Sequence, residues 1–166
     1  MEIVRDTQHY QPLRRTSLTI GNFDGIHLGH RKILGDLVKR ARESETDSLV
    51  LTFSPHPLKI LYPEKAPQLI TTPAEKLHLI ELSGIDTLVI LKFDHILAQL
   101  SGEAFIKDIL VKQFRVKHML VGENFVFGHR RSGDVALLQN LSRELDYAVH
   151  IIPEVVVRGS DRKSVV

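Results

Sequence analysis

The segment that most limits what this chain can fold into is Leu18-Thr19-Ile20-Gly21-Asn22-Phe23-Asp24-Gly25-Ile26-His27-Leu28-Gly29-His30. A short apolar and β-branched run stops at a glycine, and a turn of small and polar residues follows. A helical pattern then begins, with Ile33, Leu34, Leu37, Val38 and Ala41 apolar and Arg31, Lys32, Asp36, Lys39 and Arg40 between them. Strand, tight loop, helix is the reading. After a polar break from Glu43 to Asp47, Ser48-Leu49-Val50-Leu51-Thr52-Phe53 reads as a second buried strand, which completes a βαβ unit.

The start of that first helix is a natural anion site. Its first backbone N–H groups have no partner within the helix, and the macrodipole makes that end positive. His27 and His30 sit where loop becomes helix, and both imidazoles can donate hydrogen bonds to phosphate oxygens. Gly29 between them lets the backbone come close to a ligand. H-x-G-H joined to G-x-F-D-G directly after a strand therefore reads as a phosphate-binding turn.

Other elements alternate along the chain. Met1 to Val4 reads as a short edge strand and Asp6 to Thr16 as a lead-in loop. Ser54-Pro55-His56-Pro57 ends the second buried strand as a stiff connector, and Lys59 to Thr71 reads as irregular, a lid or a long connection. Thr72-Pro73-Ala74-Glu75 is a capping box with proline at the first helical position, and Gly84 closes that helix. Asp86 to Leu91 is a strand, Phe93 to Leu100 one short helix, and Gly102 to Phe114 another with Phe105, Ile106, Ile109, Leu110 and Phe114 as its buried stripe. His118 to Gly122 is the fourth strand, Asp134 caps a helix to about Leu145, and Ala148 to Ile152 is the fifth strand. The alternation predicts an α/β fold with a doubly wound, mostly parallel sheet and helices on both faces.

Composition bounds the function classes. At 166 residues the chain is read as a single domain, 1–166, large enough for one core. Its net charge of +2 suits a small anionic ligand, and no basic run or basic helical face points to nucleic acid. With no cysteine there is no disulfide framework and no thiolate metal site. No secretory signal or membrane span is visible, so a cytoplasmic location without a membrane partner is the expectation. His27, His30 and His56 lack the carboxylate pattern of a zinc site, and no metal ligands are assigned.

Gly21 to His30 resembles the signature of the H-x-G-H nucleotidyltransferase superfamily, whose fold is Rossmann-like. Two further segments, Thr52-Phe53-Ser54-Pro55-His56-Pro57 and Gly122-Glu123-Asn124-Phe125-Val126-Phe127-Gly128, narrow the resemblance to the adenylyltransferase module of the bifunctional riboflavin kinase/FMN adenylyltransferases, the FAD synthetases. The resemblance implies five strands in the order 3-2-1-4-5. That order reverses between strands one and four, so their carboxyl ends open a ligand crevice faced by both polar loops.

The resemblance also implies the chemistry: AMP passes from ATP, with Mg²⁺, to FMN, giving FAD and pyrophosphate. It gives His27, His30 and Asn124 catalytic roles, and Gly21, Asn22, Phe23, Asp24, His27, Gly29 and His30 the ATP site. Pro55, His56, Pro57, Asn124, Phe125 and Phe127 would line the flavin site, and Arg130 and Arg131 would neutralise phosphates. The family module continues with an S-S-T/S-x-I-R motif and then a riboflavin kinase domain, and neither is found in this chain, whose parent is expected to carry them. Two alternatives remain open. One is another H-x-G-H transferase acting on pantetheine phosphate, nicotinamide mononucleotide or glycerol phosphate. The other is a non-catalytic flavin or nucleotide binder.

Overall fold

The computed structural model describes residues 1–23, 28–65 and 72–153. The expectations placed on Asp24 and His27 lie outside these residues. The strands are β1 (Glu2–Val4), β2 (Thr16–Ile20), β3 (Asp47–Ser54), β4 (Thr87–Lys92), β5 (Val116–Gly122), β6 (Val126–Phe127), β7 (Gly133–Asp134) and β8 (Ala148–Ile152). The helices are α1 (Leu28–Ser44), α2 (Pro57–Leu61), α3 (Pro73–Leu82), α4 (His95–Ala98), α5 (Gly102–Ala104) and α6 (Val135–Leu145), with α5 running into a π-helix over Phe105–Gln113.

The main sheet has the order β1-β4-β3-β2-β5-β8, and every neighbouring pair in it is parallel. Its last five strands stand in the order that the family resemblance implies, and β1 adds a sixth at the edge beside β4. The separate β6–β7 ribbon is antiparallel.

The sheet is covered on both sides, which is why its strands read as continuous apolar runs rather than alternating ones. All five residues of β2 are buried. Because side chains alternate along a strand, neighbours enter different cores. Leu49 and Leu51 join a cluster with Phe105, Ile106, Leu110 and Leu138, so the π-helix and α6 cover that face. Val50 joins Ile33, Leu34, Leu37 and Ile80 on the other face, under α1 and α3. Leu120 and Leu88 point to the α1 side, and Met119, Val121 and Val89 to the opposite one.

Local signals in the sequence explain most element ends. Thr72 Oγ1 accepts from the Glu75 N–H at 3.1 Å, and Gly84 takes φ +83° just past α3. Asp134 Oδ1 accepts from the Leu137 N–H at 2.8 Å to cap α6. Three local expectations need correction. The segment after Pro55-His56 is helical, since Pro57 occupies the first position of α2, where a missing N–H costs nothing. The short helix expected over Phe93 to Leu100 narrows to α4, because Asp94 caps it at the Leu97 N–H, 2.8 Å away. The helix after Gly102 is α-helical only for its first turn. By its end the Phe114 N–H bonds the Ile109 carbonyl at 3.0 Å, a five-residue step, and Phe105, Ile106 and Leu110 are still buried. Among the described residues no helix is long and apolar enough to cross a membrane.

Candidate active site

The site is built at the carboxyl ends of the central strands. β2 continues one residue beyond its last rung, where the Gly21 N–H bonds the Leu51 carbonyl at 3.1 Å. Phe23 then turns at φ +51°, a left-handed conformation unusual for a bulky side chain. Its ring is buried and lies 5.0 Å from the imidazole of His30. A Cβ on Gly21 would stand 2.7 Å from that ring, so glycine is the residue that fits there. His30 is itself buried, at 7% exposure, in the first turn of α1. Gly29 lies in the same turn, and that turn holds no acidic side chain to cancel the positive helix end.

A cavity of about 230 Å³ opens beside this turn, between α3, the carboxyl half of β3 and the Leu88–Ile90 stretch of β4. Asn22, Pro55 and His56 line it. Asn22 Oδ1 is buried without a hydrogen-bond partner among the described residues. His56 is held in place because its Nδ1 accepts from the Leu58 N–H at 3.1 Å, capping α2. Pro57, the first residue of α2, is half-buried and does not line the cavity. The cavity also brings together Arg5, Thr52, Lys59 and Lys76, which the sequence reading left without a role. Their signal was weak, since each is a polar residue in a separate element and only the fold collects them.

The second polar loop leaves β5, the strand paired with β2, at the same end of the sheet. Here Phe125 and Phe127 stack with centroids 5.2 Å apart, and Phe105 adds a contact to Phe127 at 5.8 Å. Phe125 is part of the core and Phe127 is partly buried against it. Asn124, Arg130 and Arg131 are exposed. Arg130 and Arg131 both take positive φ in a short 3-10 turn, His129–Arg131. The loop is anchored to the start of α5 and the segment before it, with the His129 N–H bonding the Leu100 carbonyl and the Gly102 N–H bonding Ser132 Oγ, each at 2.8 Å. Thus the expected flavin residues divide, with Pro55 and His56 in the cavity wall and Phe125 and Phe127 in the base of the β5 loop.

A buried His30 at a helix start, a lined cavity reached by Asn22 of the same connection, and a second loop leaving the adjacent parallel strand at the same end of the sheet make the arrangement of an α/β ligand site. A family model for FAD synthetase matches residues 9–165. The chain belongs to the FAD synthetase family. It is 38% identical over 151 residues to the bifunctional riboflavin kinase/FMN adenylyltransferase of Escherichia coli K12, covering 90% of this chain and 48% of that protein. The Pseudomonas fluorescens protein of the same name is 36% identical over 160 residues, 96% of this chain and 51% of its own length. The Buchnera aphidicola (Schizaphis graminum) one is 33% identical over 150 residues, 90% and 48%. The chain therefore spans about half the length of these FAD synthetase relatives.

Among solved structures, a Streptococcus pneumoniae protein described as a macrolide-efflux protein aligns with TM-score 0.77 at 24% identity, covering 95% of this chain and 52% of that one. Pantothenate synthetase from Thermus thermophilus aligns with TM-score 0.54 at 16% identity, covering 93% and 62%. At these identities the likeness concerns the fold, and it agrees with the α/β arrangement of the FAD synthetase family.

Proposed function

We propose that this domain transfers AMP from ATP to FMN, giving FAD and pyrophosphate. The observation that carries this reading is the β2–α1 turn, where His30 is pressed against Phe23 at the start of α1, in a chain of the FAD synthetase family. A phosphate oxygen of FMN attacks the α-phosphorus of ATP in line. A new P–O–P bond forms, the bond to the β-phosphate oxygen breaks, and pyrophosphate leaves with that electron pair. No covalent intermediate with the protein is needed, so catalysis rests on positioning and charge stabilisation.

His27 and His30 donate to the phosphates and to charge that develops in the transition state. Gly21, Asn22, Phe23, Asp24 and Gly29 shape the nucleotide wall. Pro55, His56, Pro57, Phe125 and Phe127 frame the flavin, Asn124 hydrogen-bonds the substrate, and Arg130 and Arg131 offset phosphate charge. Among the described residues no group of three or more His, Asp or Glu side chains is set to hold a metal. Mg²⁺ enters as MgATP, carried by the phosphates of the nucleotide. The site of action is the cytoplasm, and the parent protein carries a riboflavin kinase domain alongside this one.

Incubating the chain with ATP, Mg²⁺ and FMN and separating the products by chromatography tests the reading. FAD is the expected product, with none of the corresponding dinucleotide from pantetheine phosphate or nicotinamide mononucleotide. Binding of FMN and ATP without turnover would replace the enzyme reading by that of a flavin and nucleotide binder.

A further inference from the structure

The outer face of α1 breaks three rules of helix stability, and no contact among the described residues accounts for it. Ile33, Leu34, Leu37 and Val38 of this helix turn inward to the core. Arg31, Gly35, Lys39 and Arg42 are exposed. They follow one another at three- and four-residue steps, so they form a single stripe about 16 Å long.

Gly35 stands in the middle of that stripe. Glycine lowers the stability of a helix interior relative to alanine. A Cβ at Gly35 would meet nothing within 4 Å, so packing inside the chain does not call for a glycine there. Arg31 lies near the start of α1, where a cation opposes the helix dipole. Lys39 and Arg42 are three residues apart, close enough for like charges to repel. Among the described residues none of these three cations has an ion-pair partner, whereas Lys32 beside them is held by Asp36 at 3.4 Å. Local choices that work against the element they sit in are expected where a surface serves something else.

We infer that this stripe docks an acidic helical segment of another protein, whose carboxylates pair with Arg31, Lys39 and Arg42 while its backbone passes over Gly35. The charge asks for an anionic partner, and the missing Cβ allows a second helix to approach closely. A second copy of α1 would set cation against cation. A lipid surface needs apolar side chains to insert, and α1 contributes none to the exposed large hydrophobics. A nucleic acid strand needs aromatic rings for stacking, and α1 has none. Asp36 and Glu43 flank the stripe and would repel a continuous phosphate backbone, while spaced carboxylates can step past them. Those two acids also dilute the charge along the run, so the expectation that the chain has no basic helical face is corrected here. The inference goes beyond the proposed reaction and does not rest on it.

Fluorescence anisotropy with a labelled alanine-based peptide of about twenty residues, long enough to be helical and carrying glutamate at every fourth position, tests the assignment. The wild-type chain is expected to bind it, more weakly as salt is added, and to ignore the same peptide with lysine in place of glutamate. Lys39→Ala and Arg42→Ala should each weaken binding about two- to five-fold, as loss of an exposed ion pair does. The double variant Lys39→Glu, Arg42→Glu should abolish binding and keep the thermal midpoint. Should that reversal unfold the chain, the two alanine variants carry the test.

Gly35→Ala separates docking from structure. It should raise the thermal midpoint of the free chain and weaken the peptide, two opposite shifts that a merely structural glycine would not give. A lowered midpoint, or unchanged peptide binding in this variant, would overturn the inference. So would a wild type that does not bind the glutamate peptide, or binding that survives loss of the cations. Binding of single-stranded RNA or of phosphatidylserine vesicles in place of the peptide, lost on the same charge reversal, would overturn it by giving the stripe to phosphates.

Discussion

Phe23 is buried in a left-handed conformation, and such a residue persists only where its surroundings determine it, at a cost of about 1–3 kcal/mol. Here the surroundings are Gly21, which leaves room for the ring, and His30, which the ring touches. The ring of this left-handed residue thus rests against an imidazole. His30→Gln should lower kcat by about 10²–10³-fold, as loss of one transition-state donor does, with the thermal midpoint little changed. Steady-state FAD formation and a thermal melt check both halves. Gly21→Ala should act on the same imidazole indirectly, since its Cβ displaces the Phe23 ring, and should cost about 1–3 kcal/mol of stability as overpacking does.

A second pair of histidines lies away from this site. His118 Nδ1 and His150 Nε2 are 2.9 Å apart on adjacent strands, close to Arg40 of α1. Burial, then His150 and Arg40, push His118 down from 6.5 to about 4, and burial with Arg40 also lowers His150. The unfolded chain therefore binds protons that the folded one refuses. Stability is full above 6.5 and falls as the pH drops from there toward about 4. His118→Leu should flatten that slope in thermal melts taken across this range.

At the scale of elements, α3 carries Lys76 to the cavity and depends on its cap. Thr72→Ala should cost about 1 kcal/mol, read as a lower urea midpoint. The β5 loop depends on close backbone contact. A Cβ on Gly133 would stand 2.4 Å from the Phe127 ring, and one on Gly102 would stand 2.5 Å from the Gly133 Cα. Gly133→Ala should therefore push Phe127 off Phe125 and raise the KM for the flavin more than that for ATP.

These elements show which information was local. The caps at Thr72 and Asp134, the stop at Gly84 and the stripe Phe105, Ile106, Leu110 were readable because each is set by residues within one or two turns. The π-helical step was not, since an apolar stripe looks the same whichever carbonyl each N–H selects. α2 was missed because two prolines suggested a break, whereas the second one begins a helix. The turn at Gly21 to His30 was visible as a motif, but the cationic lining was not. It draws on residues 5, 59 and 76, which no spacing rule connects.

At the scale of the molecule, the sheet separates two apolar layers that share its strands. Leu51 belongs to one and Val50 to the other, so each layer is tied to its neighbour through a single backbone. Removing volume from either should destabilise the whole. Leu37→Ala and Leu51→Ala are each expected to cost about 2–5 kcal/mol, with a single unfolding transition seen alike by far-UV circular dichroism and by calorimetry.

Strand β1 gives this layout one more consequence. It is held by three rungs on β4, from Glu2 beside Thr87 to Val4 beside Val89, and the next residue is Arg5 in the cavity wall. The residue that follows this short fringe of the sheet thus stands in the cavity wall. Peeling that fringe back would leave the fold standing and would be felt as a looser grip on an anionic guest.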